Sequence, residues 1–361
     1  MPDNSRLTKV SKKDSRNPSF ALPNKEYFEG NQLDMFRAFL CNNGNERTQL
    51  SNTFDLWDSV PRYSISRQQM DKLRKEKGFL DLQRIQFRYR GKTLEAIIQA
   101  TRIFDRKTGT SKDYYPSANE ELVEDALRKI AAEERNAFFD KPNYRSGVVF
   151  SLHMLREELS RRGHSRSYYE IVLSLNILAG SVIEIHTMEG NDGESFTKSG
   201  YFSGLSAVSK SDLTEDPNAK WIVQFHPLVT QALDTLTYRQ FNYAQMMSYK
   251  TQLARWLHKQ LSLKFTFASL ATSFEMRYCT IKRDSALLNG YTRDRAAIEA
   301  LDGAFNELMT GHVLTQCKKN PILGERNKII DIVYNLHPSP IFCHEMKAAN
   351  KREKLTKPVD N

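Results

Sequence analysis

Cysteine is scarce in this chain, and what there is follows no pattern. The four cysteines, Cys41, Cys279, Cys317 and Cys343, form no Cys-x-x-Cys pair. Cys343 and His344 are adjacent but have no second pair at ligand spacing. A zinc ribbon and a disulfide framework are both excluded, and all four are expected to be thiols in a reducing cytosol. Long apolar runs are missing too. Nothing approaches the length of a membrane span, and the polar N-terminus lacks the apolar core of a secretory signal. The expectation is a soluble, cytoplasmic bacterial protein with no membrane partner.

Catalytic constellations are absent as well. There is no Gly-rich phosphate loop of the Walker type, which argues against nucleotide hydrolysis. His153, His164, His226 and His258 are scattered, and none belongs to a His-Glu-x-x-His or paired-His motif. His226, beside Pro227, reads as structural. The His pair of a tyrosine-nucleophile nuclease is missing. Three residues after His312 stands Thr315, not the arginine a tyrosine recombinase needs. Glu133-Glu134 and Glu157-Glu158 fall on helix faces expected to be solvated, so they offer no metal cluster for primase-like chemistry. The sequence therefore predicts no enzyme, no metal and no cofactor.

What the chain does have is positive charge. Lys and Arg number 53 against 43 Asp and Glu, a net +10. The 361 residues, 40% of them hydrophobic and 11% aromatic, can bury the cores of two or three domains. A basic excess of this kind favours a polyanionic partner, because each neutralised phosphate releases a condensed counterion.

The stretch Ser151–Thr187 gives that charge a place. Leu152, Leu155 and Leu159 recur at helical spacing, and Gly163 ends the helix. Ser167 and Glu170 form a capping box for a second helix, with Ile171, Leu175 and Leu178 on one stripe. Gly180 stops it, and Val182–His186 alternates as a strand. This is the order of a winged helix, whose second helix enters the major groove by its N-terminal residues. Arg161, Arg162, His164, Arg166, Ser167 and Tyr168 crowd that end and are the candidate DNA contacts of this half. A helical hairpin with a solvated basic turn satisfies the same pattern.

Around this core, residues 1–30 read as a flexible basic arm and 31–112 as an N-terminal region. The latter holds a charged helix over Ser64–Phe79, strand alternation over Leu80–Thr101 and a hairpin about Arg106–Lys112. Ser117 and Glu120 cap a helix over Ala118–Glu134, the first of a winged-helix domain spanning 115–236. Thr197–Ser203 pairs with Val182–His186 as its wing, and Trp221–Phe225 is expected in the same sheet. Pro227–Leu236 is a short helix.

The second domain, 237–338, repeats the plan. It comprises an extended edge at Gln240–Met247, a helix over Tyr249–Leu263, a short helix at Phe267–Phe274 and a linker carrying Lys282 and Arg283. Thr292 caps a long helix, Arg293–Thr310. Strands Val313–Cys317 and Lys328–Asn335 form its wing. Candidate DNA contacts here are Lys282, Arg283, Thr292, Arg293 and Arg295, with Lys318, Lys319, Arg326 and Lys328 on the wing. Residues 339–361 read as a basic polar tail. The fold class predicted is α+β, tandem winged-helix domains with a partly disordered N-terminal region.

One short motif stands apart. Gln32, Leu33, Asp34, Met35 and Phe36 combine a rim-bonding Gln with apolar anchors, a peptide-in-groove pattern. It looks like the motif by which bacterial replication proteins bind the sliding clamp of the replicative polymerase. The alternative is a helix running to Leu40 that packs Leu33, Met35 and Phe36 internally.

Taken together, the chain resembles plasmid replication initiators of the RepA or TrfA type. The resemblance rests on FSLHMLREELSRRGHSRSYYEIVLSLNILAGSVIEI, on FHPLVTQALDTLTYRQFNY and on LARWLHKQL, and covers about Tyr115 to Leu336. It implies binding of double-stranded origin DNA at iterons and opening of an adjacent A+T-rich segment. It also implies recruitment of host helicase, initiator and polymerase, and homodimers in autoregulation. The part up to about Arg102 departs from the family pattern. A winged-helix transcriptional repressor and a basic RNA-binding or scaffold protein are the competing readings.

Overall fold

Serine side chains open the helices of the first half. The computed structural model describes residues 48–105, 108–133, 136–187, 195–208 and 216–356. Ser66 Oγ accepts from Gln69 N at the start of α1 (Arg67–Lys77), and Gln69 returns the bond to Ser66 N. Glu120 Oε2 accepts from both N–H and O–H of Ser117 ahead of α2 (Ala118–Ala131). Ser151 accepts from Met154 N for α3 (Leu152–Arg161), and Ser167 with Glu170 boxes α4 (Tyr168–Gly180). Each satisfies amides that the first helical turn leaves unpaired. Gly163, at φ 82°, turns the chain between α3 and α4 through the left-handed region that only glycine enters cheaply.

The strands of this half are β1 (Leu50–Phe54), β2 (Gln83–Tyr89), β3 (Lys92–Gln99), β4 (Thr101–Asp105), β5 (Thr110–Tyr114), β6 (Ala137–Asp140), β7 (Arg145–Ser151), β8 (Val182–Thr187), β9 (Phe196–Gly200), β10 (Phe202–Val208), β11 (Lys220–Phe225) and β12 (Tyr238–Asn242). The hairpin β8–β9 after α4 is the expected wing. It continues, however, into β3 and β2, giving the antiparallel order β2–β3–β8–β9. Trp221–Phe225 is not in that sheet. As β11 it lies between β10 and β7 in the order β10–β11–β7–β6. Trp221, Ile222 and Val223 are all buried, and β11 is a central strand paired at both edges.

Further corrections fall in the second half. Helix α5 (Pro227–Asp234) is as expected. Gln240–Met247 is not one strand: β12 ends at Asn242, whose side chain accepts from Gln245 N and caps α6 (Tyr243–Ser248). Helix α7 (Gln252–Lys264) follows. Phe267–Phe274 is a turn, not a helix. Ser269 and Thr272 bond each other's backbone and hydroxyls, and β13 (Phe274–Arg277) begins at once. The supposed linker with Lys282 and Arg283 is helix α8 (Tyr278–Ser285), seated by buried Tyr278, Ile281 and Ser285. Arg293, not Thr292, takes the cap position of α9 (Asp294–Thr310).

Strands β14 (Leu314–Leu323) and β15 (Ile329–Pro338) pair with β13 in the order β13–β15–β14. The supposed polar tail is α10 (Pro340–Thr356), which buries Phe342, Cys343, Met346 and Ala349. Cys279, Cys317 and Cys343 are free thiols, while Cys41 and Gln32–Phe36 lie outside the described residues.

Buried apolar side chains form two clusters. One runs from Phe54 to Met247 and takes in Ala286; the other runs from Tyr249 to Met346. Phe241, Tyr243, Met246 and Met247, expected in the second half, belong to the first cluster because β12 pairs with β1.

A buried ionic network joins the two. Lys259 of α7 reaches Asp125 (2.6 Å) and Glu121 (3.2 Å) of α2. Arg128 holds Asp125 and Asp58, each at 2.7 Å, and Arg62 bridges Asp58 (3.2 Å) and Glu124 (3.3 Å). Trp57 Nε1 donates to Glu124 at 2.6 Å, and Gln260 donates to the Asp58 carbonyl at 2.9 Å. Four carboxylates thus face three cations. Burial and neighbouring Glu121 raise the Asp125 carboxyl, whereas Arg128 and Arg62 hold Asp58 well below the carboxylate range against its burial.

Two histidines beside this network make stability depend on pH. His226 stacks on Trp57 at 4.2 Å and accepts from Leu228 N through Nδ1; burial, with Arg62 nearby, pulls it down to about 3. Burial does the same to His258. Both folded values lie below the ordinary 6.5, so the unfolded chain takes up protons first. Their contribution is complete above pH 6.5 and is lost as pH falls from there towards 3. The loss is about 1.4 kcal/mol per pH unit for each histidine. Urea titrations at pH 6.5, 5.5 and 4.5 check this; a flat unfolding free energy would contradict it.

Candidate nucleic-acid interface

The two helix starts singled out above differ in how much of their charge is available. At α4, Arg162 is turned inward. Its guanidinium pairs with buried Glu158 at 2.9 Å, donates to the Thr48 carbonyl and lies 5.3 Å from the Tyr243 ring centroid. His164 Nε2 bonds the Met247 carbonyl at 2.7 Å, and its pKa is lowered by burial. Both are thus engaged within the chain, against the first cluster. Glu158, expected on a solvated face, is buried beneath them.

Arg161 is exposed but faces Glu157 and Glu158 at 3.6 and 3.4 Å. Arg166 bonds Asn119 Oδ1 and the Ser165 carbonyl, each at 2.8 Å. Ser167 is occupied by its cap. Tyr168 is half-buried beneath Arg156, 4.7 Å from its ring, whereas Tyr169, passed over in the sequence, is 50% exposed.

At α9 the pattern reverses. Thr292, Arg293 and Arg295 are exposed. Lys282 pairs with Asp294 (2.9 Å), Arg295 with Glu299 (3.6 Å), Lys319 with Asp302 (2.6 Å) and Arg283 with Asp284 (2.6 Å). The outer stripe of α9 is therefore mixed in charge, not basic. Arg293, Lys318, Arg326 and Lys328 are exposed and have no ion-pair partner among the described residues. Tyr291, 44% exposed, sits two residues before Arg293 as Tyr169 sits three after Arg166. No sequence signal separated either tyrosine from packed neighbours of the same type.

A run of contacts connects the two helix starts. Arg166 meets Asn119; the next residue, Glu120, pairs with Arg67 at 2.6 Å and accepts from Ser174 at 2.7 Å. Arg67 opens α1, and Gln69 on its first turn lies against Gly290, where a Cβ would come within 2.3 Å of Gln69 Nε2. Between them is a cleft of about 590 Å³, lined by Ser66, Gln69, Thr251, Gln252, Tyr291 and Glu307 among others. Thr251 caps α7, and Glu307 accepts from Lys250 N and Thr251 N, so the starts of α1 and α7 border one recess with Ala300, Gly303 and Glu307 of α9. Among the described residues no three His, Cys, Asp or Glu side chains are placed to hold a metal, and no helix is long and apolar enough to cross a membrane.

The inward role of Arg162 is testable. Arg162→Ala leaves buried Glu158 with only the longer Arg161 contact at 3.4 Å and is expected to cost about 1–3 kcal/mol of stability. Affinity for a nucleic-acid ligand should stay unchanged. Denaturation and binding titrations on one preparation check both; a stable variant that no longer binds would return Arg162 to the interface.

No protein-family model matches the chain, and no curated protein sequence matches it. Among solved structures, a selenomethionine structure of domains 2 and 3 of RctB aligns with a TM-score of 0.46 and 11% identity, over 73% of this chain and 92% of that one. Another structure of RctB domains 2–3 aligns at 0.43 and 12%, over 77% and 95%. The Pi initiator protein in complex with iteron DNA aligns at 0.40 and 10%, over 62% and 91%.

Proposed function

We propose that this chain is a non-enzymatic replication initiator that binds repeated sequences in double-stranded origin DNA through two winged-helix readers. The observation that carries the reading is a repeated order of elements. Helices α2, α3 and α4 lead into the hairpin β8–β9, and helices α7, α8 and α9 lead into β14–β15. Each third helix starts at an exposed edge with an arginine and an exposed tyrosine nearby. In such units the start of the third helix meets base edges and the hairpin meets flanking backbone.

Arg293 is the leading base reader, since Arg takes guanine O6 and N7 together. Lys318, Arg326 and Lys328 are phosphate contacts. Arg166 and Tyr169 serve the first reader. The ionic network around Lys259 fixes the spacing of the two. Gln32–Phe36 would dock on a sliding clamp, and helicase recruitment, origin opening and dimerisation would follow from the same role.

The test is genetic. The gene supplied in trans should sustain an origin fragment that lacks its own copy. A chain that occupies one operator and leaves replication unaffected is a repressor, and one with no preference for duplex is an RNA binder. For the clamp motif, Leu33→Ala with Phe36→Ala should abolish clamp pull-down while DNA binding persists.

A further inference from the structure

The hairpin β14–β15 extends past the sheet that supports it. β13 pairs with β15 only from Val333 to Leu336, and Ile332 and Asp331 just beyond are still buried, Asp331 accepting from Cys279 N of α8, so the free end of the ribbon is the last ~7 Å around the turn. Such a ribbon should be polar, yet its end carries Ile322 (37% exposed), Leu323 (52%), Ile329 (47%) and Ile330 (69%). Leu323 and Ile329 face each other across the ladder, Ile322 pairs with Asp331, and the register shift between them leaves Ile330 as the extra, unpaired residue of a bulge. Gly324 makes room for Ile330 to lie across the turn: a Cβ there would come within 2.3 Å of Ile330 Cδ1. Arg326, in the left-handed region at φ 59°, occupies the apex with Lys328 beside it, and Lys318 lies further down the arm.

We propose that this tip is an apolar wedge that enters the minor groove of the duplex and bends it. The inference rests on the duplex-binding reading above and assigns the bending to named side chains. Four exposed apolar side chains at the end of a two-stranded turn fall far short of the patch of roughly 800 Å² per partner that a stable protein interface needs. A narrow groove walled by deoxyribose accepts that shape. The surrounding Lys318, Arg326 and Lys328 suit its phosphate rims. Apolar side chains pushed against a base step unstack it and kink the helix. The arm is anchored beside the second reader by the Lys319–Asp302 pair, so helix and wedge would take neighbouring grooves.

The test uses the full chain and a duplex enriched by it from a random-sequence pool. End-labelled fluorescence transfer should report a bent duplex with the wild type. Leu323→Ser with Ile330→Ser should remove the bend, while affinity falls by no more than about tenfold because the phosphate contacts remain. A minor-groove ligand such as netropsin should suppress the bend with the unaltered chain, a check that needs no variant. An unchanged bend in the double variant overturns the wedge. So does an unchanged bend with loss of self-association in sedimentation, which would make the tip a docking surface for a second copy. A wild-type chain that enriches no duplex removes the duplex-binding reading, and the wedge with it.

Discussion

Lys259→Ala is expected to lower the unfolding free energy by about 3–5 kcal/mol at pH 7. The ammonium is 4% exposed and sits between Glu121 and Asp125, which are equally buried. A buried pair contributes little net stability when intact, because both ions have left water. Removing one partner is different: the other charge stays behind with nothing to offset its desolvation. Here the network already holds one more carboxylate than cation, so losing Lys259 leaves four against two. The remaining relief is protonation of Asp125, whose carboxyl is already raised by burial and by Glu121.

Lys259→Ala combined with Asp125→Asn should therefore recover part of the loss, a coupling that a double-mutant cycle measures. The same pair is the strongest polar tie between α7 and α2, so the single variant should also split one unfolding transition into two. Guanidinium titration followed by tryptophan fluorescence checks both points. A loss below about 1 kcal/mol with a single transition would show that apolar contacts alone hold the halves.

Arg293→Ala is expected to cost about 1–3 kcal/mol of discrimination at one base pair, roughly 5- to 150-fold in relative affinity. The reasoning is positional. Arg293 takes the cap position of α9, is exposed and carries no ion pair among the described residues, whereas Arg295 and Lys282 already face Glu299 and Asp294. Lys328→Ala should behave differently. Taking a phosphate-binding ammonium off the hairpin weakens all sequences alike and lowers the salt slope by about one. Binding isotherms on a selected duplex and its single-base variants, at several salt concentrations, separate the two patterns. Equal losses on every sequence for Arg293→Ala would demote it to a backbone contact.

The helices of the first half were legible because their starts carry local chemistry: Ser66, Ser117 and Ser167 are followed three residues later by Gln or Glu. The wing β8–β9 was legible from alternation and two turn glycines. What could not be read was pairing at long range. Nothing local tells β3 to join β8, or β11 to leave the wing for β7. Nor does anything local in helix α2 tell Glu121, Glu124, Asp125 and Arg128 to leave water. They are buried because partners come from Asp58, Arg62 and Lys259, far away in sequence.

The orientation of the candidate contacts was hidden for the same reason. Arg161, Arg162, His164 and Arg166 are equivalent as letters, and only tertiary partners show that two of them point inward. Helices α8 and α10 were hidden by their basic outer faces, whose charge masked stripes such as Phe342, Met346 and Ala349. The exposed isoleucines of the β14–β15 tip passed for ordinary strand residues, because exposure cannot be read from alternation alone.

The central claim is that two helix starts address one duplex side by side. Hydroxyl-radical footprinting of the full chain on a selected duplex tests it most directly. The account predicts two protected segments on one face of the helix, about 10 bp apart. Arg293→Ala should weaken one segment, and Arg166→Ala with Tyr169→Ala the other. A single protected segment, or two that both vanish with Arg293 alone, would contradict it.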